Sequence, residues 1–149
     1  MKKIALMCDS SADITKEEAA ELGIHVLRMP ITINGKEFIE EETISDQEII
    51  EALGQNKSVK TAQPIIGNMT RMWDELLKTH DEIFYIPLTK ALSGTCGVAM
   101  GIADQEPYRN RVYVLNSDFV CYPVIHMLLT ARDMFEKGYT CAQAKEKIE

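Results

Sequence analysis

No apolar run in this chain is long enough to cross a bilayer or to serve as a signal segment. The N-terminal stretch from Ile4 stops at Asp9, and no later run approaches the roughly 18 residues a span needs. Positive charge is not in excess either: the formal net charge is -7. That speaks against general nucleic-acid binding, which needs a positive field around the phosphates. The four cysteines, Cys8, Cys96, Cys121 and Cys141, lack any C-x-x-C spacing. Reduced thiols are therefore expected rather than a disulfide framework or a zinc site. His25, His80 and His126 are far apart and have no partner at metal-ligand spacing. These absences lead us to expect a cytoplasmic protein without a metal centre and without stable membrane insertion.

What the sequence does contain is alternation. Ile4 to Cys8 reads as a short buried strand ending in the polar cluster Asp9-Ser10-Ser11-Ala12-Asp13. Thr15 and Glu18 form a capping box, opening a helix that should end at Gly23. His25 to Ile33 reads as one extended strand. Asn34-Gly35 is a hairpin signal that returns Lys36 to Ile39 antiparallel. Ser45 and Glu48 make a second capping box, with Gly54 as the stop. Thr61 to Gly67 reads as a loop, and a helix begins at Asn68 with Met69, Met72, Trp73, Leu76 and Leu77 on one face. Strands follow at Glu82 to Leu88 and at Arg111 to Leu115. Helices follow at Gly94 to Ala103, over Ile125 to Phe135, and from the capped Thr140. The predicted fold is α/β: an open, mainly parallel sheet flanked by helices, with one short antiparallel hairpin. The chain stops at Glu149 inside a helix just begun, so the sequence is expected to be a fragment of something longer.

In such sheets ligands bind beyond the carboxyl ends of strands, near helix N-termini. Asp9-Ser10-Ser11, Ser93-Gly94-Thr95 and Asn116-Ser117-Asp118 fall there, and Thr61-Ala62-Gln63-Pro64 sits just ahead of a helix. Ser93-Gly94-Thr95 is the most informative, because glycine permits close backbone approach and the hydroxyls suit a carboxylate or phosphate. Ser93 as a simple helix cap weighs about equally. Asp9 invites comparison with aspartyl phosphatases, yet Ser11 stands where their second acid would be. An Asx-turn is the better reading of Asp9. Ser93 lacks a G-x-S-x-G elbow because Ala91 replaces its first glycine, so a hydrogen-bond donor is expected there, not a nucleophile.

The motifs Asp9-Ser10-Ser11-Ala12-Asp13, Met29-Pro30, Thr61-Ala62-Gln63-Pro64, Leu92-Ser93-Gly94-Thr95 and Val114-Leu115-Asn116-Ser117 stand in the order and spacing of DegV proteins. The chain resembles the N-terminal domain of that family over residues 1–149, with the family's second domain absent from it. The resemblance implies a bacterial protein that holds a long-chain fatty acid and presents its carboxylate to a fatty acid kinase subunit, which makes the acyl phosphate. It implies no cofactor and no catalytic residue in this chain. Carried over residue by residue, the carboxylate contacts fall on Thr61 and Ser93, with Gly94 and Thr95 completing the turn. Asp9, Ser10, Ser11, Gln63 and Ser117 would line or brace the crevice. Ile31, Ile33, Ile65, Ile66 and Val120 are candidates for the acyl pocket, although ordinary core is the better reading of all five. The chain departs from the family pattern at Asn116, where an aspartate is usual, and at Cys96-Gly97, where an aromatic-Gln pair is usual. It departs again at Cys121, Pro123 and Ile125, where small residues and glycines are usual, and bulk there would reshape the pocket. The alternative is a sugar-phosphate-binding or isomerase domain using the Ser93-Gly94-Thr95 turn, with a phosphohydrolase through Asp9 as a third reading.

Overall fold

The computed structural model describes all of residues 1–149. Strand β1 (Ile4–Asp9) has Ala5 and Met7 buried on one face and Leu6 and Cys8 on the other. That two-sided burial marks a central strand of a parallel sheet. It pairs in parallel with β2 (Ile24–Leu27) on one side and β6 (Glu82–Ile86) on the other, and β7 (Val112–Val114) adds to β6. The sheet order is β2-β1-β6-β7. The chain leaves β1 in one direction to make β2 and resumes on its other side with β6. The topological switch point therefore lies between the carboxyl ends of β1 and β6.

Helices cover both faces. On one side α1 (Lys16–Leu22), α5 (Tyr122–Glu136) and α6 (Cys141–Ile148) bury Ala19, Val124, Ile125, Leu128, Ala131, Cys141 and Ala144 against Leu6, Cys8, Phe84 and Ile86. On the other, α3 (Ile66–Leu76) and α4 (Thr95–Ala103) bury Met69, Trp73, Leu76, Cys96 and Ala99 against Met7, Ile83, Tyr85 and Val114. The capping boxes at Thr15/Glu18, Ser45/Glu48 and Thr140/Gln143 all form, so α1, α2 (Asp46–Gly54) and α6 start where their sequence signals place them. Gly23 (φ 67) ends α1 in the left-handed conformation that glycine adopts without strain.

Three details differ from expectation. His25 to Ile33 is not one strand: β2 ends at Leu27 and β3 (Pro30–Ile33) belongs to a second sheet. Pro30 brings no N–H to the first ladder, and the Met29 N–H is taken by Ser10 Oγ at 3.0 Å, so the chain turns away there. The hairpin to β4 (Lys36–Ile39) forms across Asn34-Gly35, but it grows into a three-stranded antiparallel sheet, β4-β3-β5. Its third strand is β5 (Val59–Thr61), so Thr61 is strand and not loop, facing Ile31 across the ladder. Gly54 is the last residue of α2 rather than its stop; Asn56 (φ 56) turns the chain just beyond.

The segment entering α5 is strained. Cys121 has φ 58 and ψ -146, a region essentially reserved for glycine, while its N–H donates to the Ser11 carbonyl at 3.1 Å. Glycine would relieve that conformation and leave the backbone bond in place. We expect Cys121→Gly to raise unfolding stability by about 1 kcal/mol, read as an upward shift of the urea midpoint at unchanged slope. A lowered midpoint would show that the backbone strain is not limiting.

Candidate functional site

The site begins with Asp9 at the end of β1. Its side chain is buried, with 1% exposed, yet it is fully engaged. Oδ1 accepts from the Ser11 N–H at 3.1 Å and from the Ser11 hydroxyl, and Oδ2 accepts from the Leu88 N–H at 2.7 Å. The first pair is the expected Asx-turn. The bond to Leu88 was not legible in the sequence; it ties the end of β1 to the loop after β6, across the switch point. Burial raises the carboxyl above its ordinary pKa, and the bonds from Ser11 and Leu88 pull it part of the way back.

The neighbouring polar groups extend this brace. Ser10 Oγ accepts from Met29 N–H, and the Glu40 carboxyl has its pKa raised chiefly by burial. Asn116 Oδ1 accepts from the Lys90 N–H at 3.2 Å, linking the end of β7 to the loop after β6. An asparagine oxygen supplies that acceptor as well as an aspartate's would. Ser117 is buried and donates to the Phe119 carbonyl at 3.2 Å. Asp9, Ser10, Ser11 and Ser117 are thus committed to holding loops in place.

A second set of groups is left facing outward. Ser93 Oγ accepts from Thr95 N–H at 3.2 Å and pairs with Thr95 Oγ1 at 2.8 Å. One hydroxyl proton joins that pair and the other is free to donate outward. Gly94 is the N-cap of α4 and has no side chain to cap it, so beyond the Thr95 N–H taken by Ser93 the first-turn N–H groups lack a side-chain partner. Thr61 is exposed at the end of β5, and the loop after it is pinned by Ala62 N–H to the Pro30 carbonyl at 3.2 Å. Two residues on, Gln63 lies directly against Gly94: a β-carbon built there would stand 2.7 Å from Gln63 Nε2. The two hydroxyl-bearing loops, distant in sequence, therefore meet. What they present is a set of neutral donors beside the N-terminus of α4, which suits an anion with oxygen acceptors. Ser93's own hydroxyl partners are the Thr95 hydroxyl and amide, neither of them a base.

The loops at this edge also expose apolar side chains. Ile65 and Ile66 at the start of α3, Leu92 before α4, and Phe119, Val120 and Tyr122 before α5 are all exposed. They share the carboxyl edge of the parallel sheet, because the loops after β6 and β7 and the start of α3 open at the same end. This corrects the reading of the five isoleucine and valine candidates as core. Ile31 is core and Ile33 is half-buried, but Ile65, Ile66 and Val120 sit where no further layer of this chain covers them. Ile125, by contrast, is wholly buried in the α5 core and away from the surface. The sequence also gave no sign that His25 and His80 meet edge to face, with ring centroids 5.7 Å apart. His25 lies mid-strand on β2, opposite Met7, away from the donor loops; burial, then His80, holds its pKa below the usual value.

The family model described as "Uncharacterised protein, DegV family" matches residues 3–149. The chain belongs to the DegV family. It is 29% identical over 148 residues to the DegV domain-containing protein SA1258 of Staphylococcus aureus, covering 99% of this chain and 52% of that one. It is 31% identical over 150 residues to the DegV domain-containing protein lmo1863 of Listeria monocytogenes, covering 99% of this chain and 53% of the relative. Among solved structures, DegV of Bacillus subtilis, described as a fatty acid binding protein, superposes with a TM-score of 0.79 at 25% identity. That match covers 99% of this chain and 51% of the other. A DegV family protein from Thermus thermophilus, described by its fatty acid binding, gives a TM-score of 0.83 at 24% identity over 98% of this chain and 52% of the other. The chain spans about half the length of the relatives it matches.

The buried Asp9 carboxyl yields a pH test. Its folded pKa is raised, so it favours folding most below the ordinary carboxylate range and withdraws that contribution as pH rises through the folded value. Asn at this position does not titrate. The stability difference between Asp9→Asn and the parent should therefore move in the variant's favour between about pH 4 and pH 7. Urea midpoints at the two pH values measure it, and a difference that stays constant or moves the other way would refute the assignment.

Proposed function

We propose that this domain binds a long-chain fatty acid and presents its carboxylate, at the open carboxyl edge, to a partner kinase that forms the acyl phosphate. The observation that carries this is the meeting of two loops that offer neutral hydroxyl and amide donors, at a sheet edge that also exposes apolar side chains. Thr61 and Ser93 would donate to the carboxylate, with Gly94 allowing close approach and Thr95 holding Ser93 in place. A carboxylate accepts hydrogen bonds only, and neutral donors satisfy it without fixing a countercharge beside the oxygen that must attack a phosphoryl group. Ile65, Ile66, Leu92, Phe119, Val120 and Tyr122 would meet the first part of the tail, next to Ile31 and Ile33 below the Thr61 strand. We infer further that residues 1–149 make the N-terminal domain of such a protein, that a second domain covers this rim, and that the protein is cytoplasmic.

The relatives described as fatty acid binding support this reading. The sugar-phosphate alternative rests on the Ser93-Gly94-Thr95 turn alone, and those relatives lend it no support. Asp9 has both oxygens occupied and is buried, which fits a brace better than a phosphatase nucleophile.

The direct test is mass spectrometry of lipid extracted from the purified protein, with a fatty acid expected to co-purify. Recovery of none over repeated preparations, with no binding of added palmitate, would sink the proposal. Where binding is measurable, Thr61→Ala and Ser93→Ala should each weaken it by about tenfold, as expected for loss of a hydrogen bond to a charged group. Lengthening the tail by one methylene should tighten it about fourfold until the pocket ends, following about 0.8 kcal/mol per buried CH₂.

A further inference from the structure

Thr61, Ser93 and the α4 N-terminus account for the two ends of the donor surface, but not for what joins them. Gln63 occupies that gap. Its backbone is fixed on both sides: Ala62 is bonded to Pro30, and Pro64 restricts Gln63 itself to extended conformations. Its carboxamide extends over Gly94, with Nε2 at 2.7 Å and Cδ at 3.5 Å from where a β-carbon would stand. No side-chain hydrogen bond within the chain engages it, so its two N–H donors are available to a ligand beside Ser93.

Resting on the fatty-acid reading, we propose that Gln63 is a further ligand-binding residue for the head group: its carboxamide donates to the ligand carboxylate and links the two loops across it. Glycine at 94 is the condition for this placement. Gly94 has φ -75 and ψ -8, a conformation open to any residue, so its backbone does not require glycine. What requires it is the Gln63 side chain lying over it. The atom an added methyl would meet is the far end of a flexible side chain, so Gly94→Ala should displace the carboxamide while leaving the fold intact.

Two probes separate charge recognition from packing: palmitate, and hexadecanol as its uncharged counterpart. Gln63→Glu keeps length and shape but replaces the donor with a negative charge. At pH 8 it should weaken palmitate binding by at least about tenfold, since a charge-assisted bond is lost and repulsion added, with hexadecanol within about twofold of the parent. Gly94→Ala and Gln63→Ala should each weaken palmitate binding, and the double variant should be no worse than the poorer single one, because both remove the same contact. Equal loss of both probes in Gln63→Glu would mean a packing role and overturn the proposal. So would unchanged palmitate binding, or full additivity of the two alanine variants. A parent protein that binds no palmitate at all removes the fatty-acid reading first, whereas a parent that binds while Gln63→Glu behaves identically removes only this inference. Circular dichroism and the urea midpoint of Gly94→Ala, both expected near the parent's, exclude misfolding as the cause of its loss.

Discussion

The site depends on one buried carboxylate. Parallel strands diverge from the switch point, and nothing in their own ladders holds the loops beyond β1 and β6 together. Asp9 does so by accepting from Ser11 on its own loop and from the Leu88 N–H on the other. Its burial raises the pKa, which means the ionised form is held at a cost in solvation. A buried acceptor is tolerated because its partners are backbone N–H groups that would otherwise go unpaired at the edge of the sheet. Every donor placed outward at Ser93 stands on the loop that begins at Leu88.

This arrangement separates two kinds of polar residue that look alike in sequence. Ser10, Ser11 and Ser117 spend their hydroxyls inside the protein, on Met29, Asp9 and Phe119. Thr61 and the Ser93–Thr95 pair keep a hydroxyl proton free for a partner outside the loops. The difference is one of burial. A serine at the base of a loop must satisfy the backbone turning above it, whereas one at the tip has solvent or a ligand as its partner. The outward set carries no full positive charge, so its grip on a carboxylate is modest. On the fatty-acid reading proposed above, tail burial would supply most of the affinity, because a dozen methylenes at about 0.8 kcal/mol each outweigh three hydrogen bonds to a charged group.

The legible parts of this fold were those set by local chemistry. Thr15/Glu18, Ser45/Glu48 and Thr140/Gln143 announce their helices because a capping box satisfies free N–H groups with residues three apart. Asn34-Gly35 announces its hairpin because both residues tolerate positive φ. The break after Leu27 was less visible, since Ile, Val and Leu run through it and only Pro30 marks the change of sheet. Strand β5 was invisible: three residues, Val-Lys-Thr, carry no periodicity, and only pairing with β3 makes them a strand. The site was readable as polar clusters after strands, a matter of topology. Which hydroxyls would be spent internally, and the contact of Gln63 with Gly94, depend on long-range packing that no window of sequence contains.

The apolar rim follows from the same geometry. Isoleucine is usually core, and that was the expectation for Ile65 and Ile66. They are exposed because α3 begins beyond the sheet edge, where the next layer of this chain would have to be and is not. Leu92, Phe119, Val120 and Tyr122 share that height. Scattered singly, exposed apolar side chains need no explanation; gathered at one edge around a cluster of neutral donors, they mark an interaction surface. A polar ligand would match the donors and leave the rim unpaired, and a purely apolar one would desolvate Thr61, Gln63 and Ser93 without return. An amphipathic ligand, with an anionic head and a long apolar tail, would use both surfaces, and a covering domain would use the rim alone.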